Sequence, residues 1–106
     1  MHGDGPVDLR VESDDGSTVV WVAGELDIAS VPALRDALFR AVDGPGDVVL
    51  DVSDVVFCDA STLAVLVNAR NRARARGGRL VVRHPPPAMR RVIDVTRLDG
   101  ILDVEE

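Results

Sequence analysis

The segment Val48-Val-Leu-Asp-Val52, followed closely by Asp59-Ala-Ser-Thr-Leu63, constrains this chain more than any other. The first part is short and almost continuously apolar, which predicts a strand covered on both faces. The second is a small polar cluster in front of a long patterned stretch. It predicts a helix from about Ala60 to Arg76, ended by Gly77-Gly78. A buried strand feeding a helix through a short connector at Phe57 requires a sheet with helices packed against it.

The flanking sequence agrees. Val7, Leu9 and Val11 alternate with Asp8 and Arg10, the period of a half-buried strand. Ser13-Asp-Asp-Gly-Ser17 reads as a turn, and Thr18–Ala23 as a second, more interior strand, so the two form a hairpin. Ser30 is a natural N-cap for a helix with Pro32 in its first turn. Leu34, Ala37, Leu38, Ala41 and Val42 make its buried stripe, and Gly44-Pro-Gly46 ends it. Leu80–Val82 predicts a fourth strand. Met89, Val92, Ile93 and Thr96 mark a third helix, and Ile101–Val104 a last short strand. The expected fold is α/β: a mixed sheet, hairpin first and then alternating strands and helices, with helices mainly on one face. Residues 1–6 are expected to be a disordered extension, and 7–106 a single domain.

Composition narrows the function. With 106 residues there is room for one core, and aromatics are only 3%, so Val, Leu, Ile and Ala must fill it. The formal charge of −6 argues against stable nucleic-acid binding. No apolar run approaches the roughly 20 residues that span a bilayer. The N-terminal residues lack signal-peptide character, and the single Cys58 fits a reducing cytoplasm. His2 and His84 have no partner spacing for a metal. Nothing resembles a nucleophile elbow or a phosphate-cradling glycine loop, so neither enzyme activity nor a cofactor is expected.

At the start of the second helix, Asp59 is placed to accept the backbone N–H groups of Ser61 and Thr62. At roughly 100° per residue, Leu63, Leu66 and Val67 group on one side. Ser61, Val65, Asn68 and Arg72 fall on the other, so Val65 is expected at the surface among polar neighbours, as in a contact patch. Arg70 lands near the apolar stripe and must snorkel.

Taken in order, Gly24-Glu-Leu-Asp27, Asp51-Val-Ser53, Phe57-Cys-Asp-Ala-Ser-Thr-Leu63, Gly77-Gly78 and Pro87-Ala-Met-Arg-Arg91 resemble the STAS domain of bacterial anti-sigma factor antagonists. The resemblance spans about Val7 to Val104. It implies a protein that binds an anti-sigma factor of the serine-kinase type and so frees a sigma factor for transcription. Phosphorylation of a serine at this helix start then releases it. The partner-binding residues implied are Asp27, Asp59, Ala60, Ser61, Thr62, Val65 and Asn68.

The sequence departs from the family at the acceptor. The family motif is Asp-Ser-Ser/Thr-Gly-Leu, with the hydroxyl directly after the Asp, and here that residue is Ala60. Either phosphate moves to Ser61 or Thr62, or the switch is silent and binding is constitutive. A one-residue shift turns the hydroxyl by roughly 100° around the helix, which favours silence. A second function fits the same surface: a STAS subunit gripping the ATPase of a phospholipid-transport ABC complex.

Five of the twelve basic residues lie between Arg70 and Arg79, and a solvated helix end explains them better than an anionic ligand. Cys58, after a Phe expected to be buried, reads as packing rather than a redox group.

Overall fold

A computed structural model describes residues 7–14 and 16–106. The expected extension at residues 1–6 lies outside them. The elements are β1 (Val7–Asp14), β2 (Ser17–Leu26), α1 (Val31–Asp43), β3 (Asp47–Cys58), α2 (Ala60–Ala75), β4 (Leu80–Arg83), α3 (Pro87–Val95), a 3-10 turn at Leu98–Gly100, and β5 (Asp103–Glu105). The strands form one sheet in the order β1-β2-β3-β4-β5. Only β1 runs antiparallel, and β2 to β5 are mutually parallel.

Three successive crossovers between adjacent parallel strands put α1, α2 and α3 on the same side when each is right-handed. The core agrees. Val20 and Val22 of β2, Val48, Leu50 and Val52 of β3, and Leu80 and Val82 of β4 are buried. They pack in one cluster with Leu34 and Leu38 of α1, Leu63 and Leu66 of α2, and Met89 and Ile93 of α3. The opposite face carries Val19, Trp21, Val49 and Val81, all only half-buried. The expectation that Val48–Val52 is covered on both sides is therefore corrected: among the described residues no helix lies over Val49 and Asp51. Asp51 is nonetheless buried, because its carboxylate accepts from the Ser53 amide (3.0 Å) and hydroxyl (2.6 Å) and from Arg83 Nε (3.0 Å).

The strand β3 is longer than its apolar run. It continues through the expected connector to Cys58 by shifting register against β2 twice. One extra residue is absorbed between Asp51 and Asp54. Another, Val56, lies between the Gly24–Val55 and Glu25–Phe57 pairs. Gly24 stands beside the second bulge at φ 107°, a conformation that favours glycine. At the other end of the sheet Gly46 is held at φ 84°, and a Cβ there would sit 2.2 Å from the Gly16 carbonyl oxygen. The hairpin turn and the turn into β3 touch at that point.

Candidate functional site

The C-terminal ends of the parallel strands bring the β2–α1 loop beside the start of α2, and the backbone stitches them together. The Leu26 carbonyl accepts from the Asp59 amide (3.0 Å) and from Thr62 Oγ1 (3.0 Å). Asp59 caps α2 from extended backbone, as expected. Its Oδ1 takes the amides of Ser61 (3.0 Å) and Thr62 (3.4 Å) and the Ser61 hydroxyl (2.6 Å). Asp27 closes the adjoining loop, its Oδ1 accepting from the amides of Ala29 (3.0 Å) and Ser30 (3.3 Å).

Ser30 does not cap α1 with its side chain. Its backbone is already helical, and the buried hydroxyl accepts from the Asp27 amide (2.9 Å) and donates to the Glu25 carbonyl (2.8 Å). Its role is to tie the end of β2, at Glu25, and Asp27 to the start of α1.

Of the residues expected to meet a partner, Ala60, Ser61 and Asn68 are exposed, and Asp27 and Asp59 are partly so. Two expectations are corrected. Thr62 is fully buried, with its hydroxyl spent on Leu26, so it offers neither a contact nor an accessible hydroxyl. Val65 is 6% exposed and belongs to the core. The reason is α1, which packs along that flank of α2. Arg72, on the same flank, ion-pairs with Asp43 (2.5 Å) and stacks 4.4 Å over Phe39, both in α1. The residues that do face outward run Ala60, Ser61, Ala64, Asn68 and Asn71.

Sequence reasoning missed the apolar side chains at this end. Ile28 is 78% exposed, Val56 70% and Phe57, expected to be buried, 49%. The bulge that displays Val56 has no signature in a run of apolar residues. Ile28 alone, after Gly-Glu-Leu-Asp, was open to reading as a loop residue at the surface.

Cys58 is buried beneath the site, and its thiol is pushed up to about 11, first by burial and then by the neighbouring Asp59 carboxylate. It is packing. The Arg70–Arg79 run is largely engaged: Arg70 is half-buried and donates to Asn71, Arg72 holds α1, and Arg79 pairs with Asp103 at 3.3 Å. Among the described residues no group of three or more His, Cys, Asp and Glu is arranged to hold a metal, and no helix is long and apolar enough to cross a membrane.

The sequence profile of the family described as Mlab, STAS domain, matches residues 9–103. The anti-sigma-B factor antagonist of Bacillus subtilis is 28% identical over 98 residues, covering 92% of this chain and 90% of that protein. A crystal structure of an anti-sigma factor antagonist from Mycobacterium paratuberculosis superimposes with a TM-score of 0.84 at 34% identity, covering 93% of this chain and 85% of the other. That of a protein from Thermotoga maritima, described as a possible anti-sigma factor antagonist, gives 0.79 at 25% identity, with 92% and 86% covered. A profile match over nearly the whole sequence, on a five-stranded sheet backed by three helices, makes this chain a member of the STAS domain family.

Proposed function

We propose that this protein is an anti-sigma factor antagonist that works in the cytoplasm by binding, not catalysis. Its partner is an anti-sigma factor of the serine-kinase type, and the contact is made through the start of α2 and the Asp27 loop. The names of its relatives support the class of function. The observation that carries the surface is the first turn of α2, where Ala60 and Ser61 face solvent beside the end of β2, whose Leu26 carbonyl is hydrogen-bonded to the same turn.

The antagonist is proposed to be phosphorylation-silent. Ala60 has no hydroxyl to modify, and the Thr62 hydroxyl is buried. The Ser61 hydroxyl is exposed but bonded to Asp59 at 2.6 Å. A phosphate there adds about −1.5 to −2 charges next to the carboxylate that caps the helix. Two of the amides that would welcome an anion at a helix start, those of Ser61 and Thr62, are already taken by Asp59.

The test is to recover the tagged protein from its native host, identify what it carries, and incubate it with that partner and ATP before weighing the intact protein. An ATP-binding kinase-like partner and no mass gain are expected. A transporter ATPase in its place supports the phospholipid-transport reading. A phosphate gain abolished by Ser61→Ala restores the switch at Ser61.

A further inference from the structure

Among the described residues six large apolar side chains are conspicuously exposed, and three of them, Ile28, Val56 and Phe57, lie at the end of the sheet where α2 begins. The other three, Val11, Val95 and Ile101, are on β1 and at or beyond the end of α3. Scattered apolar residues are ordinary, but a group of them on a loop and the adjoining strand end is the signature of an interaction surface. The backbone builds this group. Phe57 stands beside Glu25 in the β2–β3 pairing, Val56 is the bulged residue next to it, and Ile28 follows two residues after Leu26, whose carbonyl holds Asp59.

Within the two segments that carry the group the charge has one sign. Residues 24–30 and 53–61 contain Glu25, Asp27, Asp54 and Asp59 and no Lys, Arg or His. That selects the occupant. A second copy meeting this patch across a two-fold axis would oppose four carboxylates to four. An anionic membrane surface would be repelled. A protein surface with an apolar seat and an arginine- or lysine-rich rim is favoured on both counts.

We infer that Ile28, Val56 and Phe57 form an apolar anchor, ringed by Glu25, Asp27, Asp54 and Asp59, that seats in a basic-rimmed apolar recess on the anti-sigma factor. The inference rests on the proposed function and extends its surface from the helix onto the open side of the β2–β3 pair. The anchor sets the lifetime of the complex. The carboxylates set its rate of formation, because rim charges act mainly on encounter.

The test uses the purified ATP-binding anti-sigma factor recovered with the wild-type protein, titrated against wild type, Ile28→Ser/Phe57→Thr, Glu25→Gln/Asp54→Asn, and Asn68→Arg on the helix face. Thr retains strand preference at 57, and each variant is checked by its melting temperature. The expected result is a Kd weakened roughly 30-fold or more in the Ile28/Phe57 variant, mostly through dissociation. The wild-type association rate should fall on the order of tenfold between low and high NaCl, and that slope should flatten in the Glu25/Asp54 variant. Wild-type affinity in the folded Ile28/Phe57 variant, with binding lost in Asn68→Arg, overturns the anchor and leaves the proposed function standing. Self-association of the free protein that the same variant abolishes also overturns it, because the patch would then belong to a second copy. If the wild type binds no ATP-binding anti-sigma factor, both readings fall together.

Discussion

Thr62 Oγ1 donates to the carbonyl of Leu26 at 3.0 Å, joining residues 36 positions apart in the chain. With the Asp59 amide on the same oxygen, it locks the start of α2 to the end of β2. The loop that begins at Asp27 and the helix that begins at Ala60 therefore present one surface.

Replacing Thr62 by Val removes that hydroxyl with little change of shape. The Leu26 carbonyl keeps the Asp59 amide, so the loss should be about 1 kcal/mol. A urea titration should show a lower midpoint with the slope unchanged.

Val65→Asp should unfold or severely destabilise the protein, by about 3 kcal/mol or more. The new carboxylate would be buried against α1 with no partner provided for it. Val65→Ala should lose on the order of 1–2 kcal/mol, because it deletes buried methyl groups and leaves part of a cavity. Thermal melts of the two variants check this directly.

The helix wheel predicted the opposite for Val65, and the miss is instructive. A wheel places a residue relative to its own helix and knows nothing of a neighbouring one. Val65 sits at the edge of the apolar arc, and only the docking of α1, visible through Arg72 on Asp43 and Phe39, decides which side of that edge is wet. The hairpin, the alternation of strands and helices and the Asp59 cap were all legible, because period, glycine turns and cap chemistry are local. The continuation of β3 through Phe57 was not, since a strand that survives two bulges depends on its neighbour β2. Ile28, Val56 and Phe57 escaped for the same reason: exposure of an apolar side chain is a tertiary fact.

Asp51 should contribute to the acid limb of stability. Burial pushes its carboxyl up, but the Ser53 hydroxyl and amide together with the Arg83 guanidinium outweigh that and hold it below its ordinary 3.8. A folded value below the unfolded one means the contribution is complete well above pH 3.8. It is lost as pH falls from there through the folded value. Asp51→Asn should lower stability at pH 7 and flatten the fall below pH 4, measured by denaturant titrations across pH.

Cys58 should be protected from alkylation. With the thiol buried and pushed up to about 11, almost none is thiolate at pH 8. Iodoacetamide should label the native protein far more slowly than the urea-unfolded protein, as followed by intact mass. Rapid labelling of the native state would mean that the end of β3 opens readily.

The most direct measurement of the central claim is amide hydrogen exchange of this protein, free and saturated with its anti-sigma factor. Docking through the joined loop and helix start predicts slowed exchange in residues 24–30 and 56–68, with the Arg70–Arg79 end and β5 unchanged. Protection centred on residues 76–83 or 103–105, with 24–30 and 56–68 exchanging as in the free protein, would contradict it.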